Sequence, residues 1–240
     1  MNLPRFFVGF NLNQKEIVLK DGEIYHQVKN VFRLKQGDKI ILWDGNFNET
    51  VAKILFFDKV NKNLKVKILE RKKNKNELNS EITLYLSILK KDNFELAIQK
   101  ATETGIKRIV PIICERTVKK GLNQKRLEKI IKEAAEQSQR GVLPILEFPL
   151  TFKKAVFQAK QSNNLNLFFD IKGEFLSKSL ELKKKKVGIF IGPEGGWAKK
   201  EIDLAKNNKF LIVRLSNLVF RAETAAIIAS YIVGHFNKFK

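Results

Sequence analysis

Apolar positions change their period once along this chain, and the change divides it in two. In the first part they alternate with polar positions in short runs at residues 39–43, 50–57 and 63–69, bounded by Gln36-Gly37-Asp38, Asp44-Gly45-Asn46 and Val60-Asn61-Lys62-Asn63. Such alternation between turn residues predicts β-strands, here a small antiparallel barrel, with one helical patch at 23–32 ahead of Arg33-Leu34-Lys35. Residues 71–80, RKKNKNELNS, are charged, rich in asparagine and poor in apolar side chains, the composition of a linker. The boundary is therefore placed there, giving a first domain of 1–72 and a second of 73–240.

Beyond it, strand-like runs alternate with helical ones. Residues 82–89 and 108–114 read as strands, as do 165–169, 187–191 and 211–215. Phe94, Ala97, Ile98 and Ala101 recur at helical spacing up to Gly105, and Leu127, Ile130, Ile131, Ala134 and Ala135 do so before Gln137. Further helices are predicted over 198–206 and 222–236. The first of these has Glu201 at the capping-box position but Ala198 in place of a capping hydroxyl. Strands alternating with helices predict an α/β domain built on a parallel sheet. No internal repeat is evident.

Composition narrows the setting. At 240 residues the chain can bury a core without disulfides, and its single cysteine, Cys114, forms no intrachain bridge. With only His26 and His235 beside it, no metal site is expected. No signal-like or bilayer-spanning apolar run occurs, so a soluble cytoplasmic protein without membrane partners is expected. The net charge of +21 points to a polyanion. It divides as +6 over residues 1–72 and +15 over the rest, so it is not confined to a tail. Part of it, such as the lysine run 183–186, reads as solvated loop.

Two loops carry the candidate chemistry. Gly192-Pro193-Glu194-Gly195-Gly196-Trp197 follows one apolar run, and Leu215-Ser216-Asn217-Leu218-Val219-Phe220-Arg221-Ala222-Glu223-Thr224-Ala225 follows the next. Each leads into a helix, and loops at the carboxyl ends of neighbouring parallel strands outline a ligand crevice. Neither the dinucleotide nor the P-loop glycine pattern is present, and Glu194 disfavours a bound phosphate. Arg221 and Glu223 stand at the second strand-helix junction, where a rigid scaffold places site residues. Arg5, His26, Arg33, Lys35, Arg116 and Arg140 are candidate RNA contacts.

In Tyr25-His26 with residues 31–38, in Gln99 to Gly105, in Glu115-Arg116-Thr117, in Glu133 to Arg140 and in the two loops, the chain resembles the RsmE-type 16S ribosomal RNA (uracil-N3)-methyltransferases of the SPOUT superfamily. Ser216 stands where that family usually has glycine. The resemblance implies a PUA-like RNA-binding barrel followed by an α/β domain closed by a trefoil knot. It also implies a homodimer, S-adenosylmethionine as methyl donor and a uridine in the decoding region of the small ribosomal subunit as acceptor. By position, Phe168, Phe169, Gly192, Glu194, Gly195, Gly196, Leu215, Leu218 and Arg221 would bind the cofactor. Arg221 would stabilise the anionic uracil edge, and Glu223 would orient Arg221 or help remove the proton. The alternatives are a SPOUT transfer-RNA ribose methyltransferase and a non-catalytic RNA-binding ribosome-assembly factor.

Overall fold

The computed structural model describes residues 3–118, 121–176 and 186–235. Lysines 183–185 and residue 236 of the last expected helix lie outside them. Two compact units result, one of residues 1–77 with 135–143 and the other of 78–134 with 144–240.

In the first unit, β1 (Arg5–Phe7), β2 (Glu16–Leu19), β3 (Lys39–Trp43), β4 (Asn48–Asp58) and β5 (Asn63–Lys73) pair in the order β1-β3-β4-β5-β2. β1 runs parallel to β3 and the other pairs are antiparallel. Among the described residues β1 and β2 do not pair with each other, so the sheet is open where a closed barrel was expected. One face is covered by α1 (Gly22–His26) and the π-helical turn Gln27–Val31, whose Ile24, Tyr25 and Val28 share a core with Phe6, Leu42, Ile54 and Val66. Asp21 starts α1, its Oδ1 accepting from the backbone N–H groups of Glu23 at 2.8 Å and Ile24 at 3.2 Å.

The charged stretch 71–80 is not slack. Its first three residues extend β5, and the Asn74 amide donates to Glu49 Oε1 at 2.8 Å. Glu77 accepts both arms of the Arg140 guanidinium, at 2.8 and 2.9 Å, and the N–H groups of Gly141 and Val142 at 2.9 and 3.1 Å. Burial, the largest influence on Glu77, pushes its carboxyl upward. The Arg140 fork and the two amides outweigh that and hold it below the ordinary 4.5. A depressed carboxylate contributes stability above its unfolded pKa and loses it as pH falls through the folded value. Denaturant midpoints measured downward from pH 6 are therefore expected to fall below about pH 4.5, and to fall less steeply in Glu77→Gln.

The second unit holds β6 (Glu81–Ser87), β7 (Arg108–Ile113), β8 (Ile145–Leu146), β9 (Leu150–Thr151), β10 (Leu165–Phe175), β11 (Lys186–Ile191) and β12 (Leu211–Arg214). Their order is β12-β10-β11-β6-β7-β8, with β9 also against β7, and every pair is parallel. The helices are α2 (Lys91–Glu103), α3 (Gln124–Gln137), α4 (Phe152–Ser162), α5 (Lys199–Asn207) and α6 (Ala222–His235). The sequence reading omitted α4, although Phe152, Ala155, Val156 and Ala159 form a buried stripe at helical spacing. Glu201 compensates for the missing hydroxyl of Ala198. One of its oxygens accepts the Ala198 N–H at 2.9 Å and the other accepts the N–H of Glu115, just past β7, also at 2.9 Å. Cys114 is buried, which pushes its thiol up to about 12. Among the described residues no helix is long and apolar enough to cross a membrane, and no metal-binding group of His, Cys, Asp and Glu is found.

Candidate active site

The carboxyl ends of β10, β11, β12 and β6 converge because the strands are parallel, and a cleft of about 810 Å³ opens there. That is ample for a small-molecule ligand.

The glycine loop is fixed from three sides. Trp197 is buried, packs against Phe168 at a tilt of 31° with ring centroids 4.3 Å apart, and donates its indole N–H to the Phe169 carbonyl at 2.8 Å. A Cβ on Gly192 would stand 2.8 Å from that indole, so only glycine leaves room for it. The Arg116 guanidinium donates to the Gly195 carbonyl at 2.8 Å, and Glu194 Oε1 accepts the N–H of Lys90, just before α2, at 3.0 Å. Gly196 adopts φ 69°, and its N–H donates to the Pro193 carbonyl at 2.8 Å. Two sequence-marked residues thus hold the loop: Arg116 latches it, and Glu194 ties it to α2.

The second loop begins with a serine turn, Ser216 Oγ accepting the Leu218 N–H at 2.9 Å. It leaves Leu218 and Val219 exposed and ends where Arg221 contributes its carbonyl to the first turn of α6, at 2.8 Å from the Ala225 nitrogen. Arg221 is exposed to the cleft. Glu223 also lines it yet is only 6% exposed, and its Oε2 is buried without a hydrogen-bond partner among the described residues. A buried acceptor left unpaired costs roughly 1–3 kcal/mol. Arg214 stands alongside, its guanidinium 4.1 Å over the Phe175 ring and its Nε buried without a partner among the described residues.

Of the residues expected to bind cofactor, Phe169, Gly192, Glu194, Gly195, Gly196, Leu215, Leu218 and Arg221 line the cleft. Phe168 does not; it is fully buried among Phe152, Phe190 and Trp197 and supports the indole from behind. Lys90, Asn93, Asp170, Lys172 and Arg214 join the cleft without having been singled out. Lys90 and Arg214 lie at or just past the carboxyl end of a strand, Asp170 and Lys172 in the irregular end of β10, and Asn93 in the first turn of α2, and position at the strand ends is the signal that would have found most of them.

The expected RNA contacts separate by burial. His26, Arg33 and Lys35 are exposed, with Arg33 in the left-handed region at φ 54°. Arg5 and Arg140 are not available to RNA. Arg5 is 8% exposed, lies 4.1 Å over the Trp43 ring, pairs with Glu49 at 2.6 Å and donates to the carbonyls of Ala135 and Arg140. Arg140 is 3% exposed and spends its fork on Glu77. Both are structural cations of the first unit, because carboxylates and carbonyls distant in sequence enclose them.

A parallel sheet with a glycine-loop cleft at its carboxyl edge defines an α/β domain that binds a small-molecule ligand there. The family profile of the RNA methyltransferase domain matches residues 76–234. The ribosomal RNA small subunit methyltransferase E of Rickettsia conorii is 35% identical to the chain over 95% of it and 94% of the relative. Ribosomal RNA small subunit methyltransferase E of Neisseria gonorrhoeae, solved bound to S-adenosyl methionine, superposes with a TM-score of 0.87 at 27% identity, covering 95% of both chains. A Legionella pneumophila protein solved with bound SAM gives 0.89 at 29% identity over 97% of both. The chain belongs to the RNA methyltransferase family and, within it, to the ribosomal RNA small subunit methyltransferase E group.

Proposed function

We propose that this protein transfers a methyl group from S-adenosylmethionine to N3 of a uridine in the 16S ribosomal RNA of the small subunit. The observation that carries the reading is that one cleft is lined both by exposed Arg221 and by Glu223, whose buried Oε2 has no hydrogen-bond partner among the described residues. Group membership supports the RNA and the donor.

The residues present suit the donor. The loop 192–197 lacks phosphate-binding side chains and offers backbone to the polar edges of a ligand, while Ile191, Leu215 and Leu218 supply apolar walls. Bound S-adenosylmethionine supplies an electrophilic methyl group. N3 of uracil is nucleophilic only after it loses its proton, so the chain must accept that proton and hold the resulting charge. Glu223 Oε2, short of a donor, accepts the N3 proton. Arg221 stabilises the negative charge spread over N3 and the flanking carbonyl oxygens. The target base enters by leaving its stack, and His26, Arg33 and Lys35 of the first unit, read as a PUA-like RNA-binding module, hold phosphates.

The expected trefoil knot belongs to the same reading. β12 is the edge strand beyond β10, yet α6, which follows it, packs on α2, β6 and β11, so the chain returns from the edge to the middle of the sheet. A homodimer acting in the cytoplasm completes the proposal.

The test is nucleoside mass spectrometry of small-subunit RNA from cells lacking this protein, after incubation with purified protein and labelled S-adenosylmethionine. Labelled 3-methyluridine is expected. A labelled 2′-O-methyl nucleoside, or no labelled product despite cofactor binding and a native small subunit, overturns the reading.

A further inference from the structure

We infer that the open outer face of the first unit's sheet is a second RNA contact, a phosphate track with one stacking platform, extending the proposed ribosomal RNA reading on which it rests. The argument starts from strand register. Lys39 on β3 stands directly opposite Lys53 on β4, and Lys53 directly opposite Lys67 on β5. All three are exposed and point away from the core formed by Ile40, Ala52, Ile54 and Val66. The row spans two strand spacings, about 10 Å.

Like charges directly opposite one another destabilise a sheet, and the carboxylate at the end of this row, Glu16 directly opposite Lys67 on β2, is bonded to Lys65 at 2.8 Å and leaves Lys39 and Lys53 facing each other. Lys39, Lys53 and Lys67 form no ion pair among the described residues. An anion from outside relieves that repulsion.

Two further features select RNA. The register shift in β4 between Ile54 and Phe56 returns Phe56 to the lysine face, opposite Lys65 and 57% exposed. An exposed ring beside a cationic row is the combination that binds single-stranded nucleic acid. The Lys53 side chain also runs beside Gly37, its Cε 4.0 Å from where a Cβ there would stand. The row is therefore continuous with the loop bearing Arg33 and Lys35. Elsewhere the same outer face is closed, since Arg5, Trp43 and Glu49 lie buried, with Arg5 bonded to carbonyls of the segment 135–143. The lysine half alone is open.

The experiment measures binding of the intact protein to a fluorescent single-stranded RNA, without cofactor, between about 50 and 200 mM salt. In Lys39→Gln/Lys53→Gln/Lys67→Gln the slope of log K against log salt is expected to flatten by about 2, since each phosphate contact on a single strand contributes roughly 0.7. Phe56→Ala is expected to weaken binding at least fivefold at every salt concentration, because stacking is not ionic. A control removing equal charge from exposed positions of α4, Lys153→Gln/Lys154→Gln/Lys160→Gln, retains the wild-type slope. Wild-type slope in the first triple variant, or equal flattening in both triples, overturns the track. Failure of the wild-type protein to bind RNA overturns the proposed function together with it.

Discussion

Arg221→Ala is expected to lower single-turnover methyl transfer by about 10²–10³-fold at saturating cofactor, the loss typical of removing one preorganised charge from a developing anion. Arg221 reaches the cleft from the last residue before α6, with its backbone carbonyl already committed to that helix. The truncation therefore removes the guanidinium without removing the turn. In the proposed role it acts on a charge that develops during the reaction, so kcat and kcat/KM should fall together. Cofactor affinity, measured separately by calorimetry, separates that outcome from a collapsed pocket. Glu223→Gln keeps shape and burial while abolishing the carboxylate, and its expected loss is of the order of 10²–10⁴. Full rates in Arg221→Ala would exclude the charge-stabilising role, and full rates in Glu223→Gln would exclude the proton acceptor.

Glu49→Ala is expected to destabilise the first unit by about 3–5 kcal/mol, the cost of leaving one member of a buried ion pair uncompensated. Glu49 accepts from Arg5 Nε at 2.8 Å and from the Asn74 amide at 2.8 Å, and the Arg5 and Glu49 side chains are only 5% and 7% exposed. Burial lowers the Arg5 pKa from the ordinary guanidinium value, against the opposing pull of Glu49. A guanidinium keeps its charge at neutral pH whatever its surroundings. Without its bonded carboxylate, and with only the more distant Glu136 and Glu77 to offset it, the Arg5 cation is expected to loosen the segment 135–143, whose carbonyls it also holds. The chain has two tryptophans, and Trp43 lies under Arg5. Fluorescence-detected urea unfolding in a Trp197→Phe background therefore reads the first unit alone. An unchanged midpoint would show that the pair contributes nothing. Replacing both partners by apolar residues, Arg5→Met/Glu49→Leu, is expected to recover most of the loss, because no unpaired charge remains.

How legible each feature was in the sequence follows from the range of the interaction that makes it. The longer strands and most helices of both units were readable, because an apolar period of two or of about 3.6 is a local property. The three- and four-residue strands β1 and β2 are too short to show a period, and they join the sheet only because β3 and β5 are there to pair with. The two cleft loops were readable because glycine, proline and the junctions after apolar runs mark them. Lys90, Asp170 and Arg214 gave no such mark; they reach the cleft through strand order, which places β12 beside β10 and β6 beside β11.

Charge shows the division most clearly. The sequence by itself determined that the protein is strongly basic, that an α/β domain follows a β-rich one, and that a glycine loop and an Arg-x-Glu-Thr-Ala segment stand at strand ends. It could not tell a structural arginine from a free one. Arg5 and Arg140 carry the same charge as Arg33 and Lys35, yet the first two meet Glu49 and Glu77, 44 and 63 residues away, and are sealed in. Lys39, Lys53 and Lys67 are unremarkable along the chain and become a row only through register. The tertiary structure made these decisions because burial and cross-strand alignment depend on which distant segments meet, and a charge is free for a ligand only where no such segment has neutralised it.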